Sequence, residues 1–280
     1  MQLSTGLSAA VFALAAAASF GIADFCGGVA AKRVHVFGVL TVARLCGLMI
    51  MIAAALVTGE QVPSGQALAW ACVAGLIGGV ALPAFYRALA IGKMGIGAPV
   101  TAVLTVAVPV VVAAFTEGLP RPIQVAGLLL ALTALWLISR PDATTRFDGL
   151  GLALLAGLGF GTFLVCIHQA GADSVCWPMA AALASSFLVS ALILAVQGGS
   201  LPGRSAMNVV IIAGTLDSCG NVLFVLASKY GRLDVAAILS SLYPAVTVLL
   251  AWLFLKEQIT WLQTAGMTAA LIAVPLIATH

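Results

Sequence analysis

One carboxylate, Asp217, stands in the middle of a stretch of apolar and small residues, 214–221 (GTLDSCGN). Asn221 follows four residues later, so a helix would present both side chains on the same face. A carboxylate in such surroundings can exchange a proton or pair with a cationic solute. It can equally act as a structural anchor that accepts hydrogen bonds from Ser, Thr or Arg on a neighbouring helix. Asp217 and Asn221 are therefore candidate residues of a substrate or proton pathway.

Asp24 and Arg44 are the comparable residues in the first half of the chain. They stand in two successive apolar stretches joined by residues 32–35 (KRVH). An antiparallel hairpin would bring them to similar depth, which predicts an ion pair that lowers the cost of burying both charges. Such a pair is either structural or part of the pathway. The positions 140 residues further on hold Leu164 and Ala184, so the two halves differ here.

Two tyrosines and three prolines complete the candidate residues. Tyr86 closes the third apolar stretch, and Tyr243 directly precedes Pro244. Pro99, Pro109 and Pro244 are expected to interrupt the fourth helix of each half, because proline lacks a backbone donor. The carbonyl freed in this way must be satisfied by a neighbour or a cavity, and broken helices often mark a transport site. A simple packing kink is the alternative.

Residue types argue against metal, nucleotide and nucleic-acid chemistry. The six cysteines include no CxxC pair, no GxxxxGK[ST] motif is present, and the net charge of +3 is dispersed. We therefore expect no metal, no cofactor and no nucleic-acid partner. An enzyme would need a converging nucleophile, base and ligands. The three histidines are instead scattered, at His35, His168 and His280.

The elements that position these residues are membrane-spanning helices. Of 280 residues, 62% are hydrophobic and only 8% are charged, with a mean hydropathy of +1.18. A soluble domain normally carries about 25% charged residues, so a multi-pass protein of the cell membrane, such as a bacterial inner membrane, is predicted. The fold class is all-α and polytopic, with about ten transmembrane helices. The predicted spans are 6–31, 36–57, 66–89, 96–115, 122–139, 149–170, 177–196, 206–228, 234–255 and 260–278.

The chain repeats itself at an offset of 139–140 residues. Phe20-Gly21 matches Phe160-Gly161, and further matches at nearly the same offset extend over the whole half. The predicted domains are a five-helix repeat over 6–140, a polar connector over 141–148 and a second five-helix repeat over 149–278.

An odd number of spans in each half has a geometric consequence. The second half enters the membrane from the opposite side, so the repeats are inverted about an axis in the membrane plane. Inverted repeats are typical of secondary transporters, whose substrate site lies near the midplane between the halves. The glycine pairs Gly75/Gly79 and Gly157/Gly161 are interpreted as helix-packing positions.

Three short segments carry a resemblance to the drug/metabolite transporter superfamily, specifically to EamA-type members with two repeats. They are Ser19-Phe20-Gly21, Tyr86-Arg87-Ala88-Leu89-Ala90, and Leu242-Tyr243-Pro244 with Phe254-Leu255-Lys256-Glu257. The first repeat departs from the pattern, since Pro109 stands closer to Glu117 than Pro244 does to Glu257. The resemblance implies two five-helix repeats, a lipid bilayer as surroundings and a small-molecule solute.

The function expected from these features is secondary active transport by alternating access. The solute would be a small metabolite, an amino acid-like compound or a drug, and export is implied by the resemblance alone. Protons are a candidate coupling ion, and a monomer and a homodimer are both compatible with the sequence. A channel-like permease is the alternative, followed by a membrane-embedded lipid-modifying enzyme.

Two lines of reasoning give opposite orientations of the termini in the membrane. Alternating loops place eight Lys/Arg residues on one side of the membrane and three on the side of the termini, which by the positive-inside rule puts the termini outside. EamA-type relatives are generally thought to keep both termini in the cytoplasm. The eight are Lys32, Arg33, Arg87, Lys93, Arg140, Arg146, Arg204 and Lys256, and the three are Arg121, Lys229 and Arg232.

Overall fold

The structure, a computed structural model, describes residues 2–91, 94–116, 118, 121–138, 149–171, 174–256 and 260–278. Within these ranges the chain forms eleven α-helices and no β-strand. They are α1 (Gln2–Ala31), α2 (Val36–Thr58), α3 (Gly65–Ile91), α4 (Met94–Thr116), α5 (Pro122–Ile138), α6 (Leu150–Ala170), α7 (Cys176–Val196), α8 (Arg204–Tyr230), α9 (Leu233–Ser240), α10 (Tyr243–Leu255) and α11 (Trp261–Ala278). The predicted connector 141–148, Lys93, Glu117 and Glu257 lie outside the described residues.

Helices prevail because backbone N–H and C=O groups in a bilayer must be satisfied within the segment itself. By length and apolar composition, seven spans among the described residues can cross a membrane, with α9 and α10 together forming one of them, Leu233–Leu255. Helices α4 and α5 contain shorter apolar stretches, 100–116 and 125–134. The all-α membrane fold predicted from the sequence is confirmed at this level.

The predicted ninth span, 234–255, is broken in its middle. Helix α9 ends at Ser240, and α10 begins at Tyr243 with Pro244 in its first turn, where a missing N–H costs nothing. The hydroxyl of Thr247, one turn into α10, lies 3.2 Å from the carbonyl oxygens of both Tyr243 and Gly21. The break therefore sits directly against α1.

The break predicted in the fourth helix of the first half is not observed. Helix α4 continues from Met94 to Thr116 through both Pro99 and Pro109. Pro109 leaves the carbonyl of Thr105 without its helical donor. Gly161 of α6 packs so close to this carbonyl that a Cβ there would lie 2.9 Å from the oxygen. The proline thus lies where α6 packs closely on α4, and the helix continues through it.

Helices of the first half pack mainly on helices of the second half. The principal contacts are α1 with α8, α3 with α6, α2 with α7, α5 with α11 and α4 with α6. Without a hydrophobic driving force in lipid, such contacts depend on close packing of small residues. Much of the buried interior is accordingly alanine and glycine.

Four glycine contacts between the halves come in pairs with the same 139-residue offset. A Cβ on Gly75 would meet the backbone of Ala182, and a Cβ on Gly214 would meet the backbone of Ala43. Likewise Gly47 packs on Ser218, and Gly79 packs beside Ser186. Gly75 and Gly79, two of the glycines interpreted as packing positions, lie in these contacts.

Candidate functional site

A cavity lies at the centre of the bundle, where the two halves meet. The cavity has a volume of about 70 Å³, counted as the space open to the centre of a water molecule. Its walls come from α1, α2, α3, α4, α6, α8 and the junction of α9 with α10. The lining residues are Phe20, Asp24, Arg44, Gly78, Leu82, Thr105, Phe160, Phe163, Leu164, Asp217, Asn221, Ser240, Ser241 and Tyr243.

The strongest polar contact of the cavity is an ion pair between α2 and α8. Arg44 Nη1 donates a hydrogen bond to Asp217 Oδ2, with Arg44 8% and Asp217 9% exposed. Asn221 Nδ2 donates to the backbone oxygen of Asp217 at 2.8 Å and lies 3.5 Å from Oδ2. The partner of Arg44 is thus Asp217 from the other half, rather than Asp24 as the hairpin predicted. The close approach of Gly214 to Ala43 explains this pairing, because it brings α8 against α2.

Asp24 of α1 faces the same cavity and is 7% exposed. It lies within electrostatic range of both members of the pair, attracted by Arg44 and repelled by Asp217. Among the described residues, no hydrogen bond or ion pair to its carboxylate is found. The cluster therefore brings two carboxylates to one guanidinium in surroundings of low dielectric constant, where an uncompensated charge is costly.

The other walls differ sharply from this polar cluster. Neighbouring helices α3 and α6 contribute only apolar side chains and a glycine: Gly78, Leu82, Phe160, Phe163 and Leu164. A third wall carries hydroxyls from α4 and from the α9–α10 junction: Thr105, Ser240, Ser241 and Tyr243. The cavity is consequently charged on one side, apolar on another and hydroxyl-lined on the third.

The candidate residues predicted from sequence divide into two groups. Asp24, Arg44, Asp217, Asn221 and Tyr243 all line the cavity. Tyr243 sits beside the break, and its hydroxyl donates to the carbonyl of Ala98 at 3.4 Å. Tyr86, in contrast, is not among the lining residues. Its ring is fully buried and packs on Gly27 of α1.

Sequence reasoning missed the aromatic side of the cavity. Phe160 and Phe163 were not recognised as lining residues, although Phe160 belongs to the repeated Phe-Gly dipeptide. That repeat was the available signal, since Phe20, its partner in the first half, also lines the cavity. In the described part of the chain, no group of three or more His, Cys, Asp or Glu side chains is placed to hold a metal.

One end of the bundle is closed by hydrogen bonds between loops of the two halves. The carboxylate of Glu60, between α2 and α3, accepts the N–H groups of Val175 at 3.2 Å and Cys176 at 2.8 Å. Trp177 Nε1 donates to the backbone oxygen of Glu60 at 2.8 Å. An anionic acceptor at a helix N-terminus is favourable because the first N–H groups have no partner within the helix. We call this set of contacts the Glu60 latch.

The opposite end of the bundle holds a second, wider hollow, whose volume by the same measure is about 490 Å³. It lies between the start of α2, the end of α3, the start of α6 and the end of α7, and includes His35, Arg87 and Gln197. Gly79 and Pro83 line this hollow, while Gly78 and Leu82 of the same helix line the central cavity. The two spaces are therefore close neighbours across α3.

Fold and cavity together define a multi-pass membrane protein with a buried polar site at its centre. The chain belongs to the EamA-like transporter family, which matches residues 7–140 and again residues 148–279. It is thus a membrane transporter of the drug/metabolite transporter superfamily, a multi-pass protein of the cell membrane that acts on a small solute.

Two further comparisons show similar proteins. An uncharacterized protein of Methanocaldococcus jannaschii, MJ1333.1, is 28% identical over 128 residues, which cover 46% of this chain and 93% of that protein. That relative is therefore about as long as one of the two matched segments. A crystal structure of another protein superposes with a TM-score of 0.72 and 19% identity, covering 94% of this chain and 95% of that one. At this identity the likeness concerns the fold alone.

Proposed function

We propose that the protein is a secondary active transporter that carries a small solute by alternating access, with the central cavity as its substrate site. The ten spans predicted from the sequence would form two inverted five-helix repeats, 6–140 and 149–278, joined by the connector 141–148. The observation that carries the proposal is the buried charged cavity at the junction of two halves that make matching contacts.

The matching contacts support a pseudo-two-fold relation between the halves. Gly75 corresponds to Gly214, 139 positions later, and Ala182 corresponds to Ala43, 139 positions earlier. The Gly75–Ala182 contact therefore has a counterpart in the Gly214–Ala43 contact, in which the two halves exchange roles. The same exchange turns the α1–α8 contact into the α6–α3 contact, and both are extensive. If the two halves have interchangeable roles, swapping their conformations would open the cavity first to one face and then to the other.

The unequal ends of the bundle support a state that is closed on one face. The Glu60 latch ties the loop after α2 to the start of α7, whereas the opposite end carries the 490 Å³ hollow around His35. In the proposed cycle, solute reaches the central cavity from the hollow. Breaking the latch would then release it to the other face. Export, implied by family resemblance, would set which face is cytoplasmic.

Protons are the proposed coupling ion, because the cluster of Asp24, Arg44 and Asp217 has one more carboxylate than guanidinium. A proton gained or lost there changes the charge of the site by one. If Asp217→Asn leaves proton-dependent transport intact in proteoliposomes, this coupling role is wrong. The Asp217 carboxylate would then be a structural partner of Arg44.

The experiment that tests carrier function begins with a thermal-shift screen of the purified protein, because a bound solute raises apparent stability. A solute found in this way is loaded into proteoliposomes, and uptake of the labelled solute from outside is followed. A carrier shows counterflow, because each molecule of trapped solute that leaves brings the binding site back to the outer face, where it takes up labelled solute. Saturable uptake without counterflow indicates the channel-like permease, and formation of a chemical product indicates the enzyme.

A further inference from the structure

We infer that the substrate is an organic cation with an apolar body, such as a protonated primary amine on an aromatic or branched hydrocarbon. The inference rests on the proposed transport function and specifies the chemistry of the same cavity. It depends on two observations: a buried carboxylate that faces the cavity without a direct partner, and the apolar side chains that α3 and α6 contribute to the same cavity.

The charge arrangement leaves one carboxylate for a ligand. Arg44 is engaged by Asp217, and Asn221 supports that pair through its amide. Asp24 is more than nine-tenths buried and lines the cavity, and the described residues offer it no hydrogen bond or ion pair. A cation placed next to Asp24 would complete a neutral set of two carboxylates and two cations. A buried carboxylate is most stable when paired in this way.

The apolar wall from α3 and α6 suits the remainder of such a ligand. Asp217 and Asn221 on α8 correspond by the 139-residue offset to Gly78 and Leu82 on α3, and all four line the cavity. Asp24 corresponds in the same way to the apolar residues around Phe163. The two carboxylates and the amide that line the cavity therefore each correspond to a glycine or an apolar residue in the other half.

Phenylalanine rings line the cavity from α6 and also from α1, and they favour a cation with hydrocarbon attached. Phe160 and Phe163 line the cavity from α6, and Phe20 lines it from α1. Aromatic faces attract ammonium groups and also bury hydrocarbon. A ligand with its ammonium group at Asp24 and its apolar body between these rings would match both chemistries of the cavity.

An anion or a zwitterion fits the cavity less well. Its carboxylate would have to compete with Asp217 for the guanidinium of Arg44. The Nε–H of Arg44 is buried and has no acceptor among the described residues. A net negative ligand would also lie beside two carboxylates. The arrangement of charges favours a cation over an amino acid of the same shape.

The test compares three ligands of closely related shape by isothermal titration of the purified full-length protein in detergent. Phenethylamine, protonated at neutral pH, is the cation, 2-phenylethanol is its neutral analogue, and phenylalanine is the zwitterion. We expect phenethylamine to bind at least about ten-fold more tightly than either of the others. Asp24→Asn should remove this preference, whereas Asp24→Glu should retain it. Asp234→Asn changes a carboxylate outside the cavity and should also retain it.

Several outcomes would overturn the inference. These are equal or tighter binding of 2-phenylethanol or phenylalanine by the unaltered protein, no saturable binding of phenethylamine, and an undiminished preference in a folded Asp24→Asn variant. Tighter binding of phenylalanine would identify Arg44 as an anion site instead. The transport proposal stands or falls separately, because counterflow of any solute identified by the screen would support it whatever the charge of that solute.

Discussion

Charge balance in the cavity predicts that the two partners of the buried ion pair are not equally important for stability. With both carboxylates ionised, the cluster of Asp24, Arg44 and Asp217 carries one net negative charge. Arg44→Gln would leave two negative charges and no cation. Asp217→Asn would leave one carboxylate, Asp24, close to the guanidinium. The arginine variant should therefore be much the less stable of the two.

The magnitudes follow from the burial of the pair. Removing one partner of a buried ion pair costs about 3–5 kcal/mol when the other is left uncompensated. We expect this loss for Arg44→Gln. For Asp217→Asn we expect a loss of stability of about 1–2 kcal/mol. Arg44 would lose its charged hydrogen bond to Asp217 but would keep a longer-range attraction to the carboxylate of Asp24. At roughly 2–4 °C per kcal/mol, these losses correspond to a lowering of Tm by about 10 °C and about 4 °C.

The assay is thermal unfolding of the purified protein in detergent, followed by tryptophan fluorescence. The double variant Arg44→Gln with Asp217→Asn should be more stable than Arg44→Gln alone, because it removes one of the two unbalanced charges. Arg33→Gln, an exposed arginine in the turn after α1, serves as control and should change stability by less than about 0.5 kcal/mol. The charge-balance reasoning is refuted if Asp217→Asn is as destabilising as Arg44→Gln, or if the double variant is the least stable of the three.

Three further predictions concern packing, closure and the apolar wall. Gly75→Ala should lower stability by about 1–3 kcal/mol because its Cβ would collide with the backbone of α7. Gly151→Ala, at a helical site with open space, should raise stability by about 0.5–1 kcal/mol. Similar Tm values for the two variants would contradict the packing assignment. The second prediction uses a variant in which Cys176 is the sole remaining cysteine. In this variant, Glu60→Ala should increase the rate at which a maleimide alkylates Cys176 by roughly ten-fold. An unchanged rate would show that the Glu60 latch does not hold that end closed. Gly78→Asp would add a third carboxylate to the cavity and should prevent recovery of a monodisperse protein on gel filtration, so wild-type behaviour would argue against the assigned cavity lining.

The positions of the helices could be predicted closely from the sequence. The span expected at 177–196 is α7, Cys176–Val196, and the span expected at 36–57 is α2, Val36–Thr58. This agreement has a physical basis, because an apolar segment in lipid has to form a helix to satisfy its own backbone. Length and hydropathy then determine where the helix lies.

Proline positions were a less reliable guide, because their effect depends on the surroundings. Pro244 lies in the first turn of α10, next to a break between helices, as expected. Pro109 has the same local chemistry but lies inside an unbroken helix, at a point where Gly161 of α6 packs closely against the carbonyl of Thr105. A helix contact of this kind involves residues far apart in the chain, so local sequence does not reveal it.

Five of the candidate residues named from the sequence line the cavity, but their arrangement was not predicted. The spacing of Asp217 and Asn221 correctly places both on one helix face, and both line the cavity. The partner of Arg44 was mistaken because it is separated from Arg44 by 173 positions. Its identity depends on the packing of α8 against α2. The residues that permit this packing, Gly214 and Ala43, carry no polar signal.

The scaffold keeps its internal symmetry while the cavity departs from it, and the cost of buried charge accounts for the difference. Glycine contacts such as Gly75–Ala182 and Gly214–Ala43 occur in both halves because each holds two helices together without any charge. The cavity lies where the halves meet, so a symmetric sequence would place each buried carboxylate opposite a copy of itself. Like charges at close range in a medium of low dielectric constant repel strongly. A charged site at such a junction is therefore expected to place its charged or polar side chain in only one member of each pair of corresponding residues. Here Gly78 corresponds to Asp217, and Leu82 corresponds to Asn221.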